Sequence, residues 1–313
     1  MKKLVWVLLF LSFNLSVFSV SLKTIEKETF IYAVKGNDTL RLDKYSIKGY
    51  EKPQACVIFV FGGGFAGGSR SAENNTNYLK KLAESGYVSI GIDYRLGMKK
   101  GVLSDSLDIF TKLGNSVVMA VEDFFDATSF VYQNAEKWNI NPEWIIGNGS
   151  SAGAITVLQG EYISCNEMPF SSQLPESFRY AGIIAFAGAL FKDTEEFQWK
   201  NRPAPMQLFH GDADKNVPFN EIKMGPLGFH GSFSITEALK QIESPYYFHR
   251  VNNAAHEIAN IPMKQNMNEI DDFIQKYVIE KKPFMIETTI TEIGKPELEK
   301  NFSALDYIQT NYQ

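Results

Sequence analysis

Residues 147–154 read GNGSSAGA, following an apolar WII at 144–146 and leading into ITVLQ at 155–159. A short apolar run that stops at glycines and resumes as a longer apolar stretch predicts a strand, a sharp corner and a helix. Inside the corner, Gly149, Ser150, Ser151, Ala152 and Gly153 form a GxSxG pattern with Ser151 at its centre. A nucleophile held on so tight a turn leaves no room for side chains two residues to either side, which accounts for the glycines. The start of the following helix points the amide of Ala152 toward the place where negative charge would develop.

Outward from this corner, apolar runs at 55–61, 87–94, 143–148, 180–187, 204–211 and 245–251 are predicted strands. Between them, the patterns at 77–85, 116–138, 152–162, 234–243 and 263–278 are predicted helices. Residues 27–47 alternate apolar and polar around KGNDT, the mark of an antiparallel hairpin. The expected fold class is therefore α/β: a mostly parallel central sheet with an antiparallel N-terminal hairpin and helices on both faces. Chemistry in such sheets gathers at the carboxyl ends of the strands.

A serine hydroxyl needs a base, and a tetrahedral intermediate needs amide donors. The stretch FVFGGGFAGG at 59–68 leaves a strand and turns through Gly62, Gly63 and Gly64, so bare backbone can approach a substrate oxygen. No P-loop lysine followed by Ser or Thr accompanies it, which argues against a P-loop phosphate cradle. Of the four histidines, His256 follows the last predicted strand in a loop and is the expected base. His210 and His249 sit within or at the ends of strands and read as structural, while His230, in a glycine-rich loop, is the reserve. The segment LFHGDADKNVPF at 208–219 supplies the orienting carboxylate: Asp214, or alternatively Asp212.

FGGGFAGG, DYRLG at 93–97, GSSAGA, HGDADKNVPF and AAHE occur in the order in which the α/β-hydrolase superfamily of carboxylesterases and lipases carries its motifs, and residues 30–280 resemble that superfamily. The resemblance implies a catalytic triad of Ser151, Asp214 and His256, with oxyanion amides at Gly63, Gly64 and Ala152, and implies no cofactor and no metal. Many relatives have histidine where this chain has Phe61 and an acidic residue where it has Ser150; Asp93 and Arg95 read as structural. Only 16 residues separate IIAFA from APMQLFHG, so a small or absent cap is expected. An open site on an exported enzyme resembles enzymes that remove acetyl or feruloyl groups from plant polysaccharides. A serine exopeptidase of the same fold, or a non-catalytic binding protein on a hydrolase scaffold, are the alternatives.

The chain has 313 residues, 36 acidic and 31 basic side chains and a net charge of -5, well mixed, which excludes a nucleic-acid partner of the basic-stripe kind. Expected partners are small-molecule or polysaccharide-linked esters. MKKLVWVLLFLSFNLSVFSVSLK opens the chain with two lysines, a short apolar core and small residues at Ser19 and Ser21, the layout of a cleaved secretory signal. Secretion or periplasmic export without stable membrane insertion is therefore expected, an uncleaved anchor being the alternative. The expected division is a leader over 1–19, a hydrolase domain over 20–280 and a C-terminal extension over 281–313. Cys56 lies in a predicted strand and Cys165 after a helix, so two free thiols are expected.

Overall fold

The hairpin expected around KGNDT forms as β1 (Ile25–Lys35) and β2 (Asp38–Ile47), turning at Gly36, whose φ of +59° suits a residue without a Cβ. The computed structural model describes residues 24–98, 106–193, 197–224 and 227–312. The expected leader over 1–19 lies outside them. Next come β3 (Gln54–Val60), α1 (Glu73–Glu84), β4 (Val88–Ile92), α2 (Ser106–Gln133), β5 (Ile140–Ser150) and α3 (Ala152–Cys165). They are followed by β6 (Gly182–Phe186), β7 (Ala189–Asp193), β8 (Met206–Gly211), β9 (Glu221–Met224), β10 (Leu227–Gly231), α4 (Ser232–Gln241) and β11 (Tyr246–Asn252). The chain closes with α5 (Pro262–Gln265), α6 (Met267–Phe273) running into a π-turn at Ile274–Ile279, β12 (Met285–Thr291) and α7 (Ala304–Tyr312).

Nine strands form one sheet in the order β1-β2-β4-β3-β5-β6-β8-β11-β12. From β4 to β12 every neighbouring pair is parallel, and the hairpin joins antiparallel through β2 and β4. Every residue of β3 is buried, which is why QACVIFV reads as a continuous apolar run with no alternation. Helices cover both faces. A Cβ at Gly147 would meet Phe124 of α2 and Val157 of α3, whereas one at Gly182 would meet Phe273 and Val278 on the other side. All fourteen residues of α3 are buried, so the helix is apolar almost all round and has no solvent stripe.

The structure adds elements beyond those expected and corrects two expectations, for His230 and for the last core helix. Strands β7, β10 and β9 form a separate three-stranded sheet. His230 lies on β10 of this sheet, not in a loop. The helix expected over 263–278 divides at Asn266, whose φ of -113° and ψ of 31° leave the helical region. Residues beyond 281 contribute β12 to the edge of the main sheet, parallel to β11. Cys56 and Cys165 are both free and buried.

Candidate active site

Strand β5 delivers the chain to Ser151, and α3 begins at the next residue. Ser151 has φ 53° and ψ -119°, a conformation that non-glycine residues rarely hold and that lifts its side chain clear of the sheet. The amide of Ser151 donates to the carbonyl of Phe186 on β6 at 2.9 Å and pins the corner. The two flanking glycines are required sterically. A Cβ at Gly149 would sit 2.2 Å from the carbonyl oxygen of Gly153, and one at Gly153 would sit 2.0 Å from that of Val60. Neither backbone atom can yield without moving a strand or a helix.

Strand β8 ends at Gly211, and the loop beyond it carries Asp214; β11 ends at Asn252, and the loop beyond it carries His256 at the start of a 3-10 turn, His256–Ala259. His256 Nδ1 lies 2.8 Å from Asp214 Oδ2, and His256 Nε2 lies 2.8 Å from Ser151 Oγ. The Asp214 side chain is wholly buried, and that of His256 is 24% exposed. Burial alone would push the Asp214 carboxyl up. Hydrogen bonding and charge attraction from His210 and His256 outweigh it and hold the group well below the usual carboxylate range. An ionised carboxylate only accepts, so the neutral His256 ring carries its proton on Nδ1 and leaves Nε2 bare to accept from the Ser151 hydroxyl. Asp214 Oδ1 also accepts the backbone N–H groups of Asn216 at 2.8 Å and Val217 at 3.0 Å, closing the loop on itself.

Asp212, the alternative acid, faces elsewhere: its Oδ1 accepts the N–H of Asn253 at 2.8 Å, and its Oδ2 pairs with Arg250 at 3.2 Å. His230, the reserve base, lies 3.1 Å through Nε2 from the carbonyl oxygen of Asp193 and packs edge-on to Phe197. His249 is stacked on Phe209, and burial pushes its pKa down to about 3. Gly63 and Gly64 are exposed, with φ of +129° and +61°, and Ala152 is buried at the helix start. Their neighbour Gly62 packs against the serine turn, where a Cβ would come within 3.1 Å of Ser151 Cβ. The glycine loop ends at Arg70, which is held between Asp43 and Asp93 at 3.2 and 2.5 Å. Arg95 pairs with Asp123 and Glu122.

Two residues that pattern reading passed over touch this constellation. His210 is fully buried, with Nε2 3.4 Å from Asp214 Oδ2 and Nδ1 2.8 Å from Ser232 Oγ, so the carboxylate faces two imidazoles. Its spacing of four residues from Asp214 was the available signal. Ser150 donates to the carbonyl of Ala259 at 2.7 Å and so ties the serine corner to the turn that begins at His256. A cavity of about 700 Å³ lies at the opposite, amino ends of the strands, lined by Arg179, Arg202, Lys281, Lys282 and Glu143 among prolines and aromatics. Volume is therefore no guide to the chemistry here.

A strained serine between a parallel strand and a buried helix, in a sheet of this order, decides the architecture. The chain has the α/β-hydrolase fold. Esterase 2 of the planctomycete Thermogutta terrifontis, with propionate bound, superimposes on this chain with a TM-score of 0.59 at 21% identity, over 81% of this chain and 94% of that one. The same enzyme phosphorylated by paraoxon gives 0.58 at 20% identity, over 82% and 94%. The BD-FAE family model matches residues 42–190, from β2 into the small sheet. Esterase LipC of Mycobacterium tuberculosis is 26% identical over 155 residues, 49% of this chain and 33% of LipC, so the match spans about a third of that relative's length.

Proposed function

We propose that the protein is a serine carboxylic-ester hydrolase in which Ser151 is the nucleophile, His256 the general base and acid, and Asp214 the group that orients and stabilises the imidazolium. The reading rests on the unbroken relay Asp214, His256, Ser151, with both hydrogen bonds at 2.8 Å and the serine on a strained corner. His256 Nε2 takes the serine proton as Oγ attacks the ester carbonyl, and the tetrahedral oxyanion is met by the amides of Gly63, Gly64 and Ala152. The intermediate collapses as His256 returns the proton to the leaving alcohol, giving an acyl-Ser151. Water, deprotonated by the same imidazole, then attacks the acyl carbon; the proton goes back to Ser151 and a carboxylic acid leaves. Residues and water suffice for every step.

The matched relatives are named as esterases, which supports ester over peptide chemistry. For the substrate we propose acetyl or feruloyl esters on polysaccharides, met by an exported enzyme with a small or absent cap; the additional sheet of β7, β9 and β10 has only three short strands. Among the described residues no helix is long and apolar enough to cross a membrane.

A fluorophosphonate probe on the folded protein, followed by peptide mapping, tests the chemistry without assuming a substrate. Labelling at Ser151 that disappears on prior denaturation is the expected result. Folded protein that takes up no probe moves the non-catalytic alternative to the front. Release of acetate or ferulate from decorated xylan tests the substrate; turnover of simple esters with no such release sinks that part alone.

A further inference from the structure

Beyond β12 the chain does not leave the molecule. It crosses the two loops that carry Asp214 and His256 and touches both. Lys295 Nζ lies 3.4 Å from Glu257 Oε1, beside His256, and Glu257 Oε2 accepts the N–H of Ala255 at 3.0 Å. Lys300 Nζ lies 3.1 Å from Asp212 Oδ2, a carboxylate whose side chain is 2% exposed and whose other oxygen holds the N–H of Asn253. On the acid loop, Lys215 Nζ donates to the carbonyl of Asn301 and lies 5.8 Å above the Phe302 ring. Asn311 Nδ2 donates to the carbonyl of Asn216 at 3.1 Å. Tyr307 is buried, its ring 5.1 Å from Phe229 of the small sheet.

The segment's own contacts fall on residues close to the relay: Asp212, Lys215 and Asn216 around Asp214, and Glu257 after His256. The segment is held unevenly: Ile293 is 98% and Leu305 61% exposed, whereas Tyr307 and Ile308 are buried. A segment anchored at its end by this short buried turn, whose polar contacts fall on the two loops, is placed to set their separation. We infer that residues 292–312 are a positioning strap that clamps the acid loop to the base loop, and that Lys300, through Asp212, is its central positioning residue. This rests on the proposed triad. The required precision is high, because a displacement of about 1 Å at a reacting group costs on the order of 100-fold in rate.

Three full-length variants and one shortened chain test it: Lys300→Met, Lys295→Met with Lys300→Met, Lys300→Arg, and a chain ending at Thr291, which keeps β12 and the sheet edge. The readouts are kcat and KM on a simple nitrophenyl ester, the fluorophosphonate labelling rate at Ser151, and hydrogen exchange over 212–217 and 253–257. The double variant and the shortened chain should lose about tenfold in kcat and in labelling, with KM little changed and faster exchange confined to both loops. Lys300→Met alone should show a smaller loss of the same kind, which Lys300→Arg, still able to pair with the carboxylate, should restore. Wild-type kcat in the double variant, or unchanged exchange in both loops, overturns the strap. Wild-type protein that takes up no probe sinks the triad instead, and exchange then decides the strap by itself.

Discussion

Two buried carboxylates, Asp214 in the loop beyond β8 and Glu161 on α3, meet opposite fates. Asp214 is enclosed by two imidazoles and two backbone N–H groups and stays ionised far into acid. Glu161, on the buried helix that begins just after Ser151, has one short partner, the N–H of Ala204 at 2.7 Å, and burial pushes its pKa up to about 7. Enclosure by protein is common to both. What separates them is the number of donors aimed at the charge, since burial alone favours the neutral form of a carboxylic acid and each donor favours the anion. A buried carboxylate that stays ionised is thus recognised by its donors and not by its depth.

The comparison can be broken most severely at the site. Asp214→Asn makes the orienting group neutral, as Glu161 partly is, and lets the imidazole adopt the wrong tautomer. We expect kcat on a simple ester to fall by about 10⁴-fold with the fold retained by circular dichroism. A loss below tenfold would show that the ionised state is not what matters.

The second test removes the titration on the other side. Glu161 has a folded pKa of about 7 against an ordinary 4.5, so it is neutral in both states below 4.5 and charges more readily when unfolded above that. Its stability cost is absent in acid, grows as pH rises from 4.5 to 7 and stays constant beyond, reaching about 3 kcal/mol. Glu161→Gln, which can still accept from Ala204, should abolish that slope in urea midpoints taken between pH 4.5 and 8, with kcat unchanged.

His210→Phe sharpens the contrast by withdrawing one donor from Asp214 while keeping a ring in place. Asp214 has a depressed pKa, so its contribution is present above the ordinary carboxylate value and is lost as pH falls through the folded one. With one imidazole gone the contribution shrinks by about 2 kcal/mol, and acid unfolding should begin at higher pH. The smallest expected effect is at Ser150→Ala, which cuts the bond to Ala259 and should lower stability by about 1 kcal/mol, read from the thermal midpoint.

Much of the architecture was legible because it is local. Long apolar runs such as 55–61 become fully buried parallel strands, and the turn residues of KGNDT mark the reversal between β1 and β2. The glycines of GxSxG are legible for the same reason: their constraint comes from the corner itself. Strands β7, β9 and β10 have four or five residues each, too few for a period to register, and they exist because they pair with one another. Strand β12 is an exposed edge in a polar stretch and forms only against β11.

By itself the sequence determined which residue types stand at the carboxyl ends of which strands, because strand, turn and helix preferences act over a few neighbouring residues. Only the tertiary structure decided that, of Asp212 and Asp214, the second meets an imidazole 42 residues further on, which in turn meets a serine 105 residues away. It also decided that the chain's last residues return over both loops. Those distances are set by sheet order and helix packing, which sum weak contributions from the whole chain, and no short stretch contains them.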